Sequence, residues 1–185
     1  MKNFDREYPE FALCGLNCGL CPMRYMEQPC PGCGGGEGNQ SCAIARCSLS
    51  HGGLQHCFEC GEFPCARYDG LTGCDSFLSH RNMLRDLERV KNMGIVAYRE
   101  ELEEKIKILK ELLQGYNDGR RKTFFCTAVN LLELADVRLA VEQIEARVEP
   151  GQTIKERAAA AVECFQLLAD SRDVSLKLRR KTKKP

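Results

Sequence analysis

The sequence predicts a mainly α protein in which an irregular, cysteine-rich, zinc-binding module is followed by a small helical bundle. Eleven of the thirteen cysteines fall between Cys14 and Cys74, interleaved with Gly and Pro and without a sustained apolar period. From Asp75 onward apolar residues recur at three- and four-residue steps, the signature of amphipathic helices. No stretch alternates for long enough to build a sheet, and no repeat of fixed period is present. The 185 residues suit one ordinary domain plus a small module. The divisions read as a metal-binding module at 1–74, a helical bundle at 75–176 and a basic tail at 177–185.

The module comes first because its cysteines need a chemical reading. Met1 to Tyr8 carry charges of both signs and lead into no apolar core stretch, so no secretory signal is expected. No segment approaches the ~20 apolar residues of a membrane span. The expected compartment is therefore the cytoplasm, where thiols stay reduced and clustered cysteines read as metal ligands rather than a disulfide framework. A stretch this poor in apolar residues is not expected to fold by itself. Structural zinc supplies the deficit, since its binding contributes about 10–16 kcal/mol of folding energy.

Three pairs, Cys18/Cys21, Cys30/Cys33 and Cys57/Cys60, have the two-residue gap by which adjacent thiolates grip one ion from a tight turn. Cys14, Cys42, Cys47 and Cys65 complete a set of ten. The simplest partition puts Cys18, Cys21, Cys30 and Cys33 on one zinc ion and Cys42, Cys47, Cys57 and Cys60 on a second. Spacing does not fix this, because Cys14 or Cys65 can replace one of these ligands and His51 or His56 can substitute. An iron–sulfur cluster is the alternative cofactor, because Cys14-x3-Cys18-x2-Cys21 is the spacing by which radical S-adenosylmethionine enzymes hold a four-iron cluster. Those enzymes need a strand-rich partial barrel, and here helices follow. Cys126 and Cys164 lie on apolar helical faces and read as buried thiols. Cys74, at the junction, reads as a spare thiol or a late ligand.

The bundle begins with Phe77, Leu84, Leu87 and Val90 on one face, with His80 in the same helix and Gly94 ending it. Ile95, Tyr98, Leu102, Ile106, Leu109, Leu113 and Tyr116 then make a long amphipathic helix, with Glu101/Lys105 and Glu103/Lys107 as supporting pairs. The run from Phe124 to Leu134 is apolar nearly all round and predicts a central buried helix. Val137 to Val148 continue helical spacing until Pro150-Gly151. Thr153 and Glu156 form a capping-box signature for a last helix carrying Ile154, Ala158, Ala161, Val162, Phe165 and Leu168.

Net charge is +1, yet six cations and no acid lie in the last nine residues, which leaves residues 1–176 at −5. A body of that sign is no general nucleic-acid binder, so any such affinity falls to the tail or to a local patch. One patch is the turn Asn117-Asp118-Gly119-Arg120-Arg121-Lys122, where three cations meet the start of the apolar helix. Arg120, Arg121 and Lys122 there are candidates for holding a phosphate or carboxylate.

The run Cys14-Gly15-Leu16-Asn17-Cys18-Gly19-Leu20-Cys21-Pro22, with Cys30-Pro31-Gly32-Cys33, Cys42-x4-Cys47 and Cys57-x2-Cys60-x2-Phe63-Pro64-Cys65, resembles a prokaryotic cysteine-rich family, domain of unknown function 3795. The resemblance covers about residues 12–68 and extends more loosely to Tyr116 through Cys126. It implies a zinc-binding module and no particular reaction.

The function expected from the sequence is that of a zinc-binding protein acting as a binding or adaptor protein, with closed, structural cysteine sites. The alternative is an iron–sulfur redox protein or a metal-dependent enzyme, for which Cys14 and Cys65 are the spare reactive thiols. No nucleophile, base and orienter set stands out to support catalysis. Ten clustered cysteines also suit metal handling or sensing. A protein partner or an anionic ligand is the expected class of interaction, with no membrane.

Overall fold

The computed structural model describes residues 3–36 and 42–180. Those residues hold six α-helices and five short 3₁₀ turns, with no β-strand. Helix α1 (Ala43–Ser50) lies within the cysteine-rich module, where no helix is expected from the sequence. The bundle is α2 (Met83–Met93), α3 (Ile95–Gly115), α4 (Lys122–Leu131), α5 (Leu134–Arg147) and α6 (Ile154–Ser171). None of the helices is long and apolar enough to cross a membrane.

The boundaries follow local chemistry. Gly94 adopts φ 86° and donates its N–H to Val90 O at 2.9 Å, so one residue ends α2 and starts α3; a side chain there would strain the left-handed turn. The capping box of α6 forms as its sequence predicts: the Thr153 hydroxyl accepts from Glu156 N while Glu156 accepts from Thr153 N at 2.8 Å. The long apolar run after Phe124 splits because Leu132 and Glu133 are extended, which turns α4 into α5. Helix α4 is central: Phe125, Cys126, Ala128 and Val129 are fully buried, and Phe125 meets Phe165 of α6 edge-on. Cys126 and Cys164 are both buried, as apolar helical faces require.

Four local expectations are corrected. Phe77 is not part of the bundle stripe; it is 63% exposed, because α2 begins only at Met83. His80 lies in the loop before α2 rather than in a helix, its ring nitrogens facing Leu71 O and Ser76 Oγ. Lys105 does not pair with Glu101. It is buried and donates to Leu132 O at 2.6 Å, at the open end of α4, while Glu101 takes Arg89 of α2. The cysteine-rich module is not without apolar anchorage: Phe4, Tyr8, Phe11, Leu13 and Leu20 share a single core cluster with Leu87, Tyr98, Leu102 and Leu109. Few apolar residues suffice there because they pack onto helices made elsewhere in the chain.

Two features seat the segment from Cys14 to Cys21 on the bundle. Gly15 has φ 92°, and a Cβ on it would stand 2.2 Å from Met83 O, so only glycine lets the loop approach the start of α2. Asn17, buried, donates to Asp86 Oδ2 at 2.9 Å and accepts from the Tyr98 hydroxyl at 2.9 Å. Its amide also faces Asn130 Oδ1 at 3.3 Å, so one side chain joins the loop to α2, α3 and α4.

Candidate metal centre

The cysteines are carried mainly by tight turns. Cys18–Leu20 and Cys57–Glu59 are 3₁₀ turns in which Cys21 N and Cys60 N donate to Cys18 O and Cys57 O, each at 3.1 Å. Such a turn points two thiols the same way over one short stretch. The third pair is built differently: Gly32 between Cys30 and Cys33 has φ 87° and sits against Pro9, and Cys33 N donates to Pro9 O at 3.1 Å.

Cys47, Cys57, Cys60 and Cys65 line one cavity of about 30 Å³, together with His51 and Tyr68 and with apolar walls from Leu13, Ile44, Leu54 and Phe63. That volume is of the order of a water or two and excludes an organic substrate. His51 Nδ1 lies 3.7 Å from Cys47 Sγ and 2.8 Å from Cys47 O. The Tyr68 hydroxyl is buried without a nitrogen or oxygen partner, and the nearby Cys57 thiol raises its pKa further beyond what burial alone does. Cys65 lines this cavity with Cys47, Cys57 and Cys60, and Cys42 does not.

The other thiols influence one another electrostatically. Burial raises the Cys14 thiol to about 12, with Cys33, Cys42 and Cys57 adding to the rise through their charges. Cys18 is pushed well up by burial and by Cys33, Cys14 and Cys21; Cys21 is raised by burial and, in part, by Cys30. Cys57 is raised to about 11 by burial, with Cys65, Cys47 and Cys42 contributing. Cys42 contributes to the rise at both Cys14 and Cys57. Like charges crowded in a dry site disfavour thiolates, and a bound cation reverses that balance.

One cation of the chain already stands among them. Arg6, buried, donates through Nη1 to Phe11 O at 2.6 Å and Cys33 O at 3.3 Å, and through Nε and Nη2 to Gln55 O at 3.0 and 2.6 Å. It clamps the two cysteine loops by their carbonyls, and its charge opposes the effect of burial on Cys33. Sequence reasoning passed over Arg6, Asn17 and Tyr68. A lone Arg before a cysteine cluster carries no periodic or spacing signal.

Among the described residues, no three His, Cys, Asp or Glu side chains converge closely enough to hold an ion as they stand. The donors fit a soft divalent metal by chemistry and by their common cavity, although the ligand shell itself is not assembled. Cys74 is half-buried and does not line that cavity.

The turn before α4 is organised by its own side chains. Asn117 Oδ1 accepts from Gly119 N and Arg121 N, and Asp118 Oδ1 accepts from Arg120 N. Arg121 lies 3.6 Å from Asp118, and Lys122 Nζ donates to Tyr25 O at 2.9 Å, tying α4 to the module. Three of the amides that an anion would use are thus engaged, and two of the three cations face partners within the chain. Of the six cations in the tail, Lys181, Lys183 and Lys184 lie outside the described residues.

No curated protein and no solved structure matches the chain. Residues 10–70 match the model of the family described as "Protein of unknown function (DUF3795)", in agreement with the resemblance carried by the cysteine motifs. The turns, the shared cavity and the Arg6 clamp all fall within or against that matched segment.

Proposed function

We propose that the chain is a zinc-binding protein whose cysteine module holds two zinc ions in closed, structural sites and serves a binding or adaptor role. The observation that carries this reading is the cavity shared by Cys47, Cys57, Cys60 and Cys65: four soft donors around a space too small for a substrate. The second ion falls to Cys14, Cys18, Cys21, Cys30 and Cys33, with Cys42 a candidate for either. When bound, zinc would neutralise thiolates that burial and mutual repulsion otherwise keep protonated. A site closed by four protein ligands does no chemistry of its own, which favours a scaffold over an enzyme.

A second reading, an iron–sulfur redox protein, is supported by the Cys14-x3-Cys18-x2-Cys21 spacing. Anaerobic purification followed by elemental analysis separates the two. The zinc reading expects a colourless protein with two zinc ions per chain, because zinc has a filled d shell. Cys47→Ser, Cys57→Ser, Cys60→Ser or Cys65→Ser should each lower the zinc content toward one ion. A brown preparation containing iron and labile sulfide, bleached by Cys14→Ser or Cys18→Ser, rejects zinc and establishes the redox alternative.

A further inference from the structure

The C-terminal segment does not simply trail away from the bundle. Val174 to Arg180 return along its surface and are fixed at both ends of the run. Arg81 donates through Nη1 to Ser175 O at 2.6 Å and through Nη2 to Lys177 O at 3.1 Å. Asp75 accepts Arg179 N at 2.7 Å and Arg179 Nη2 at 3.1 Å, while Asp75 N donates to Arg179 O at 2.8 Å. Leu176 is buried beneath this strap. Ordering a chain terminus has an entropic cost, and here two charged side chains from the other end of the bundle offset it.

Between the strap and α4 lies an open cleft of about 510 Å³, lined by Lys177, Arg179, Arg180, Thr123, Phe124 and Thr127 among others. Three cations face one carboxylate, Asp75, which Arg179 already engages. Among the described residues no acid lies within ion-pair distance of Lys177 or Arg180, and Arg179 Nε is buried without a hydrogen-bond partner. The cleft therefore has a net positive charge on a backbone that is held in place. Thr123, Phe124 and Thr127 of α4 form the wall opposite the strap. Phe124 supplies an aromatic wall on the same side.

From these observations we propose that the strap and the start of α4 form a binding site for a small phosphomonoester or diphosphate with a planar or apolar body. Arg179 and Arg180 suit phosphate oxygens, whose geometry a guanidinium fork matches, and Lys177 adds a compact charge. Phe124 takes the body of the ligand. This site stands apart from the cysteines and does not depend on which metal they hold.

Inorganic pyrophosphate and adenosine monophosphate, titrated separately into the ¹⁵N-labelled full chain, test it. Saturable shifts of the Thr123, Phe124 and Leu178 amides are expected with either probe. The double variant Lys177→Ala/Arg180→Ala, altered at two exposed positions, should lose affinity by about tenfold or more, since each removes a charge-assisted contact. Asp75→Asn, which loosens the strap without removing a cation, should also weaken binding. A chain ending after residue 180 should bind like the full chain, and zinc content should be the same in all variants. The proposal is overturned if the double variant binds as the parent does, if truncation after residue 180 abolishes binding, or if an oligonucleotide alone binds; the last two outcomes would make the end of the chain a plain polyelectrolyte.

Discussion

Single residues decide how the spacing of a cysteine motif becomes a seated loop. Gly15 and Asn17 lie between the ligand candidates Cys14 and Cys18, and neither donates a thiol. Gly15 permits an approach to the Met83 carbonyl that any Cβ would block, in a backbone conformation that side chains rarely adopt. Gly15→Ala should therefore destabilise the protein by about 2 kcal/mol or more, a size typical of strain at a special backbone position. Asn17→Ala should cost about 2–3 kcal/mol, because Asp86 and the Tyr98 hydroxyl would be left buried without this partner. Denaturant midpoints, read with metal content held equal, measure both. A cost below about 0.5 kcal/mol for either would show that the loop relaxes around the change.

Among the helices, α3 and α4 are coupled through Lys105. Its ammonium is buried and its pKa is lowered to about 8, chiefly by burial, while Asp86 and Glu133 work in the opposite direction. The ordinary lysine value is about 10.4. A cationic group with a depressed folded pKa binds fewer protons folded than unfolded between those values, so its penalty on stability relaxes as pH rises from about 8 to about 10.4. Cysteine thiols titrate in the same range with the opposite sign, since burial raises them. The comparison of wild type with Lys105→Met isolates the lysine: wild type should gain stability relative to the variant as pH rises through this window. A difference that is constant from pH 7 to pH 10 would show that Lys105 keeps its charge at no cost. The sequence paired Lys105 with Glu101, because helical spacing cannot show that the end of α4 presents the Leu132 carbonyl there.

Over the whole molecule, the two halves differ in composition and share a core. Phe11, Leu13 and Leu20 pack in one cluster with residues of α2 and α3, whereas residues 42–74 contribute less, through Ile44, Ala45 and Tyr68. Metal removal by a chelator should therefore act unevenly. Amides of 42–65 are expected to lose hydrogen-exchange protection first, those of 11–21 to keep a larger share, and α3 to α6 to change little. Equal loss through residues 3–74 would show that the metal, not the common core, holds the first segment in place.

Composition and periodicity alone determined the division of the chain into a cysteine-rich part and helices, the extents of α3 and α6, the burial of Cys126 and Cys164, and the residue types available to a metal. Those properties are local: a thiol binds metal, and a stripe of apolar residues needs a core, whatever surrounds them. Only the tertiary structure decided that Cys65 stands with Cys47, Cys57 and Cys60, that Arg6 lies among the thiols, that Asn17 joins three helices and that the basic end of the chain returns to Asp75. The last three depend on groups separated by tens of residues along the chain, and the first on how a helix and two turns fold together. Equal spacings are compatible with many such pairings, and packing of the shared core selects one.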